Sequence, residues 1–209
     1  MPADTAFSFG PFELDAGLAA QAHQDTTGGR YRAVALHWLR GLLFLARGDE
    51  AAAMAAFERE LATESEGQLY ARECCGNTWY AIGAAHARAG RRDAALAALD
   101  EARRRLPGHP LAVLVQGALR RDRFDDSAAG AAPSPASRDA HPVDVALVEA
   151  GGAVLAGRVD AAALAIEQAL DAGDPGSHGW LLPVEPLLCP SAHPEAWAGA
   201  LARLRAHAA

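Results

Sequence analysis

Eight histidines, three cysteines and a run of carboxylates are the residues of this chain that have chemistry to offer. The histidines are His23, His37, His86, His109, His141, His178, His193 and His207. None pairs with another at the spacing that would place two metal ligands on one helix face. Cys74 and Cys75 are adjacent, which would suit a redox couple. Free cysteines are mostly small buried apolar residues, and that is the reading adopted. No CxxC occurs, and Cys189 has only His193 nearby. Glu58, Glu60, Glu64 and Glu66 read as a solvated helix face. The chain holds no GxGxxG, P-loop, HExxH or GxSxG. All nineteen basic residues are Arg, so Schiff-base chemistry and a P-loop lysine are excluded. The expectation is no catalytic site, no metal and no cofactor.

Composition says what must position such residues. The 209 residues are 51% hydrophobic and 22% charged, enough for one packed domain or one repeat array. Ala fills about a quarter of the chain, which suits closely packed helices. A net charge of −7 argues against an electrostatic grip on nucleic acid. Three cysteines are no disulfide framework. The first residues, Met1 to Ala6, show neither a basic nor an apolar signal-peptide region. The most apolar run, Ala33 to Ala46, is broken by His37 and Arg40 and is too short for a bilayer. A cytoplasmic protein without membrane contact is expected.

Three stretches repeat one pattern. Trp38 to Gly48 continues with Ala53, Phe57 and Leu61. Trp79 to Gly90 continues with Ala95, Leu99, Ala102 and Pro107. Leu147 to Gly157 continues with Ala162, Ile166, Ala169 and Pro175. Each reads as helix, glycine turn, helix. A small residue (Gly41, Gly83, Ala150) lies seven before the turn glycine, a small residue five after it, and a large apolar residue nine after it. The two small residues are expected where the helices cross, and the large one between helix pairs. The glycine ends the first helix in left-handed geometry. Asp93 and Asp160 are placed to cap the second helix, and Pro107 and Pro175 to end it.

This pattern resembles the tetratricopeptide repeat. Gly76 to His109 matches best, with Trp79, Gly83, Gly90, Ala95, Ala102 and Pro107 at the signature positions. The resemblance covers about residues 30–175. It implies an all-α fold, a short right-handed solenoid of antiparallel helix pairs. Residues 110–122 look like the first helix of a further unit whose partner is missing or degenerate. Gly48 to Gly90 spans 42 residues, eight beyond the repeat period. The excess falls around Thr63 to Cys75 and reads as about two more helical turns. Residues 122–140, rich in Ala, Ser and Pro, read as a flexible loop.

The ends are read separately. Residues 1–29 are expected as an extended segment whose phenylalanines pack on the first helix pair. Phe7 to Asp15 also resembles the opening strand of a winged-helix domain of bacterial signalling regulators, although no winged-helix sequence follows. Residues 176–209 resemble the tail that closes repeat arrays in such regulators. Trp197, Leu201 and Leu204 share one helix face there, fit to cap the array.

The resemblance also implies where a partner would sit. First helices line a concave groove, which puts Trp38, Leu42, Leu45, Asn77, Tyr80, Leu114 and Arg121 on it, with Arg88 at the rim. Ala84, Leu111 and Gly151 fall at equivalent positions. It also puts His86 in the packed interior. An apolar groove with an aromatic pair, Trp38 and Tyr80, suits a helix or an extended peptide. The expected function is a non-catalytic interaction module with a protein or peptide partner. The alternative is a self-assembling protein, including a homodimer, whose groove is filled by its own chain or by a second copy.

Overall fold

The computed structural model describes residues 35–66, 70–121, 141–173, 176 and 178–208, together with Asp15, Leu18, Ala19, Ala22 and His23. The described residues form eight α-helices and no strand. They are α1 (Leu36–Ala46), α2 (Glu50–Ala62), α3 (Ala71–Arg88), α4 (Arg92–Arg105), α5 (Pro110–Arg120), α6 (Pro142–Leu155), α7 (Val159–Asp171) and α8 (Pro194–Ala208). Short 3-10 turns occupy Thr63–Glu66, Leu182–Val184 and Pro190–Ala192. The expected loop at 122–140, Pro175 and nearly all of the Phe7 to Asp15 stretch lie outside the described residues. Asp15, Leu18, Ala19, Ala22 and His23 are helical, where the sequence reading expected an extended segment. Leu18 packs on the first helix pair and Asp15 pairs with Arg47 at 2.7 Å.

The glycine turns are built alike. Gly48, Gly90 and Gly157 have φ of 79°, 71° and 74°, a region that a side chain disfavours. The next residue donates its N–H to the carbonyl five back each time: Asp49 to Phe44 at 2.9 Å, Arg91 to His86 at 2.9 Å and Arg158 to Ala153 at 2.8 Å. This bond closes the helix end and reverses the chain. Capping of the second helix differs from the sequence reading. Asp49 caps α2, accepting from the Ala52 N–H at 3.0 Å. Asp93 and Asp160 instead lie inside the first turn of α4 and α7, whose N-caps are Arg91 and Arg158. There their charge complements the helix dipole without capping.

Helix pairs α1–α2, α3–α4 and α6–α7 pack tightly, and each crossing is set by residue size. A Cβ on Gly41 would stand 2.2 Å from the Phe57 ring, and one on Gly83 would stand 2.8 Å from Leu99 Cγ. The glycine notch therefore receives the large residue of the facing helix, and at Gly83 the small residue expected from spacing is there too, with the Ala95 carbonyl 3.4 Å from where a Cβ would stand. Ala53, Ala95 and Ala162, five residues after each turn glycine, are fully buried. Phe57 also reaches Ala81 and Ile82 of the next pair. We expect Ala95→Leu to destabilise by about 1–3 kcal/mol in urea denaturation, because Ala95 is fully buried and its backbone lies against the Gly83 notch. A neutral result would place the crossing elsewhere.

The eight extra residues are divided. Part forms the Thr63–Glu66 turn, and part starts α3 five residues before Gly76. Arg105 of α4 ties the helix to this insertion through Glu64, at 2.7 Å and 2.5 Å, and is itself held by Glu101 of the same helix at 2.6 Å. Its guanidinium lies over the Trp79 ring. Trp79 is half-buried and packs against two core clusters.

First helices form one layer, with α1 touching α3, α3 touching α5 and α5 touching α6. Past α7, the chain enters the space these helices face and returns as α8. Trp197 of α8 is fully buried against α6 and α7, with Leu201 and Leu204 beside it.

Candidate functional site

The concave layer is apolar because its inward positions are Leu, Ala, Tyr and Gly. Leu42 and Leu45 of α1 are buried, as are Tyr80 and Ala84 of α3, Leu111 and Val115 of α5, and Gly151 of α6. Their cover is the chain itself. Residues 184–190 (Val-Glu-Pro-Leu-Leu-Cys-Pro) are all buried. Val184 packs with Leu42 and Leu45. Leu187 packs with Tyr80, Ala84, Leu111 and Val115. A Cβ on Gly151 would come within 3.0 Å of Leu187, so the glycine makes the seat for that side chain.

Polar contacts hold the same segment. The Tyr80 hydroxyl donates to Glu185 at 2.5 Å, fully inside the protein. Arg88 donates to the Pro186 carbonyl at 3.2 Å. Glu185 also organises its own loop. Its carboxylate accepts from the Leu187 N–H at 3.0 Å, and its carbonyl accepts from the Cys189 N–H at 2.9 Å. Proline at 183, 186 and 190 removes three further donors that the apolar groove could not satisfy. Burial pushes the Glu185 carboxyl above its usual range, against the lowering effect of Tyr80 and the Leu187 N–H. Burial, then the Glu185 charge, pushes the Tyr80 phenol far up as well.

The expected groove residues divide accordingly. Leu42, Leu45, Tyr80 and Arg88 meet the segment. Leu114 packs at its edge, near Leu187 and Gly151. Asn77 is half-buried on α3 and Arg121 exposed just past α5, and neither is hydrogen-bonded to the segment. Trp38 packs on the first cluster, whereas Tyr80 sits in the third with His109 as its ring neighbour at 4.4 Å. Sequence reasoning missed Glu185, although it is the one acid in the run Leu181 to Pro190.

Other candidate chemistry resolves into structure. Cys74 and Cys75 are pushed up to about 11, first by burial and then by nearby carboxylates, so they stay protonated at neutral pH. Glu60 is 1% exposed, not part of a solvated face. Its carboxylate accepts from the N–H groups of Ala35, His37 and Trp38 at 2.9–3.1 Å. His86 lies at the α3–α4 turn and not in the interior, accepting from Arg91 at 2.9 Å. Among the described residues, no group of three or more His, Cys, Asp or Glu is placed to hold a metal. Among them, too, no helix is long and apolar enough to cross a membrane.

His109 and His141 are N-caps, each followed by proline at the first helical position. The His109 Nδ1 accepts from the Ala112 N–H at 3.2 Å, which requires a neutral ring. Burial lowers its pKa to about 4 from 6.5. The unfolded chain therefore protonates first as pH falls, and stability present above pH 6.5 is lost toward pH 4. We expect a loss of up to about 2 kcal/mol by pH 5 from this group. His86, lowered by burial and Arg91, adds to it with the same sign. His109→Asn keeps a capping side chain and should flatten the pH profile of urea denaturation. An unchanged profile would deny the assignment.

The architecture is an all-α array of helix pairs with a concave layer of first helices. Residues 76–119, beginning at the start of α3's repeat unit, match the tetratricopeptide repeat family. The match covers 44 of the 209 residues, the stretch from α3 through α5, and supports a tetratricopeptide repeat there. Proteins of this kind generally mediate protein–protein interaction as non-catalytic scaffolds. No curated protein and no solved structure matches the chain.

Proposed function

We propose that this protein is a non-catalytic interaction module whose concave face, from α1 to α6, recognises an extended apolar peptide of a protein partner. The observation that carries the reading is the Tyr80–Glu185 bond, in which a proline-bounded segment already lies in the groove as a peptide would. Affinity capture tests it. Wild type is compared with the Trp38→Ala/Tyr80→Ala variant, with bound proteins identified by mass spectrometry and helicity checked by circular dichroism. A partner lost by a folded variant supports the groove. A partner retained by it sinks the reading.

A second reading is favoured by the burial of residues 184–190. In it the groove is permanently filled and the segment is structural, with partners meeting other surfaces or a second copy. Val184→Ser with Leu187→Ser, which leaves α8 and its Trp197 in place, discriminates. If the segment is purely structural, this variant should lose helicity or aggregate. If it is displaceable, the variant should stay helical and gain partner binding.

A further inference from the structure

The buried loop has a form that a plug alone does not require. Its shoulders, Leu182 and Leu188, belong to the cluster formed by α6, α7 and α8. Its tip, Val184 to Leu187, leaves that cluster and reaches the other two. Lifting the tip would uncover the groove while α8 stays docked through Trp197. The tip also carries a carboxylate into an apolar interior. A hydrophobic residue there would fill the same space without the desolvation cost of a charge. What Glu185 adds is selectivity, because a buried Tyr80 hydroxyl facing an apolar side chain would be left unpaired.

We propose that Val184 to Leu187 are a ligand bound in cis, and that the groove's ligand in trans is an extended peptide of another protein with the order apolar, carboxylate, proline, apolar. The first apolar residue enters the Leu42/Leu45 pocket. The carboxylate accepts from Tyr80. Arg88 takes the next carbonyl, and the second apolar residue sits over Gly151. This rests on the peptide-groove reading above and adds the ligand's chemistry and its competitor. The free protein is held closed by its own loop, and a partner binds at an affinity reduced by the fraction closed.

The test uses the full chain and a labelled synthetic peptide of residues 181–190. Val184→Ser with Leu187→Ser weakens the tip and leaves both shoulders. Fluorescence anisotropy should show the variant binding the peptide at least about tenfold tighter than wild type does. The peptide with Glu185→Ala should bind at least about tenfold weaker. A helical variant that ignores the peptide, or binds both peptides equally, overturns the proposal. So does a wild-type dimer that the peptide dissociates, since the occupant would then be a second copy. If the variant does not fold, hydrogen exchange on wild type decides. The Leu187 and Cys189 amides should exchange at least about a hundredfold faster than the slowest amides of α3. Equal rates would make the loop part of the global core and overturn the proposal. Failure of peptide binding with partner capture intact faults this inference, whereas loss of capture by every form faults the interaction reading.

Discussion

Phe57→Ala is expected to cost about 3–5 kcal/mol, a large part of the stability of a domain this size. Phe57 is fully buried and belongs to α2, yet its ring fills the notch at Gly41 of α1 and shares a core cluster with Ala81 and Ile82 of α3. Truncation opens a cavity among rigid helices, where collapse is limited. Gly41→Ala tests the same contact from the other side. Its Cβ would lie 2.2 Å, 2.4 Å and 2.8 Å from three ring carbons, so it should cost about 1–3 kcal/mol or more. The two changes should not add. Once Phe57 is Ala, a Cβ at residue 41 meets space, and replacing a mid-helix glycine should stabilise by about 0.5–1 kcal/mol. The sign of Gly41→Ala thus reverses with the residue at 57. A double-mutant cycle by urea denaturation reads this directly. Additive costs would mean that the ring and the notch do not meet.

The helix pairs were legible because their signals are local. A glycine that must adopt positive φ, and a large residue nine positions on, recur in each clear pair. Contacts that close the array were harder, since they join residues far apart in sequence. The Tyr80–Glu185 bond spans 105 positions, and no spacing rule predicts it. Even so, one carboxylate among leucines and prolines was a visible anomaly at Glu185. Glu60 was misread for a different reason. Charge clustering suggested a wet face, but Ala53, Ala56, Phe57 and Glu60 form one stripe at helical spacing. The stripe, and not the residue type, decided burial. His86 shows the reverse, an imidazole at an interior repeat position that the adjacent turn draws out to meet Arg91.

Glu60→Ala is the second large expected effect, a loss of about 3 kcal/mol or more. The first turn of α1 has free N–H groups, as every helix start does. Its own N-cap, Ala35, has no side chain to accept them and sits at φ 71°. Glu60, from α2, reaches across and accepts from Ala35, His37 and Trp38. A capping acid next to the helix would tie one end of α1 to itself. This acid ties α1 to α2, so cap and tertiary contact are a single interaction. Its charge also lies at the positive end of the α1 dipole, which offsets part of the cost of its burial. Removing the side chain leaves three partly buried donors without this acceptor. Glu60→Gln keeps one acceptor oxygen and should lose about 1–2 kcal/mol. The order wild type, Gln, Ala should appear in urea denaturation. Hydrogen exchange should show the same order, with the His37 and Trp38 amides released first. A cost below about 1 kcal/mol for Glu60→Ala would mean that the α1 start finds other acceptors, and that the α1–α2 contact rests on the Phe57 notch alone.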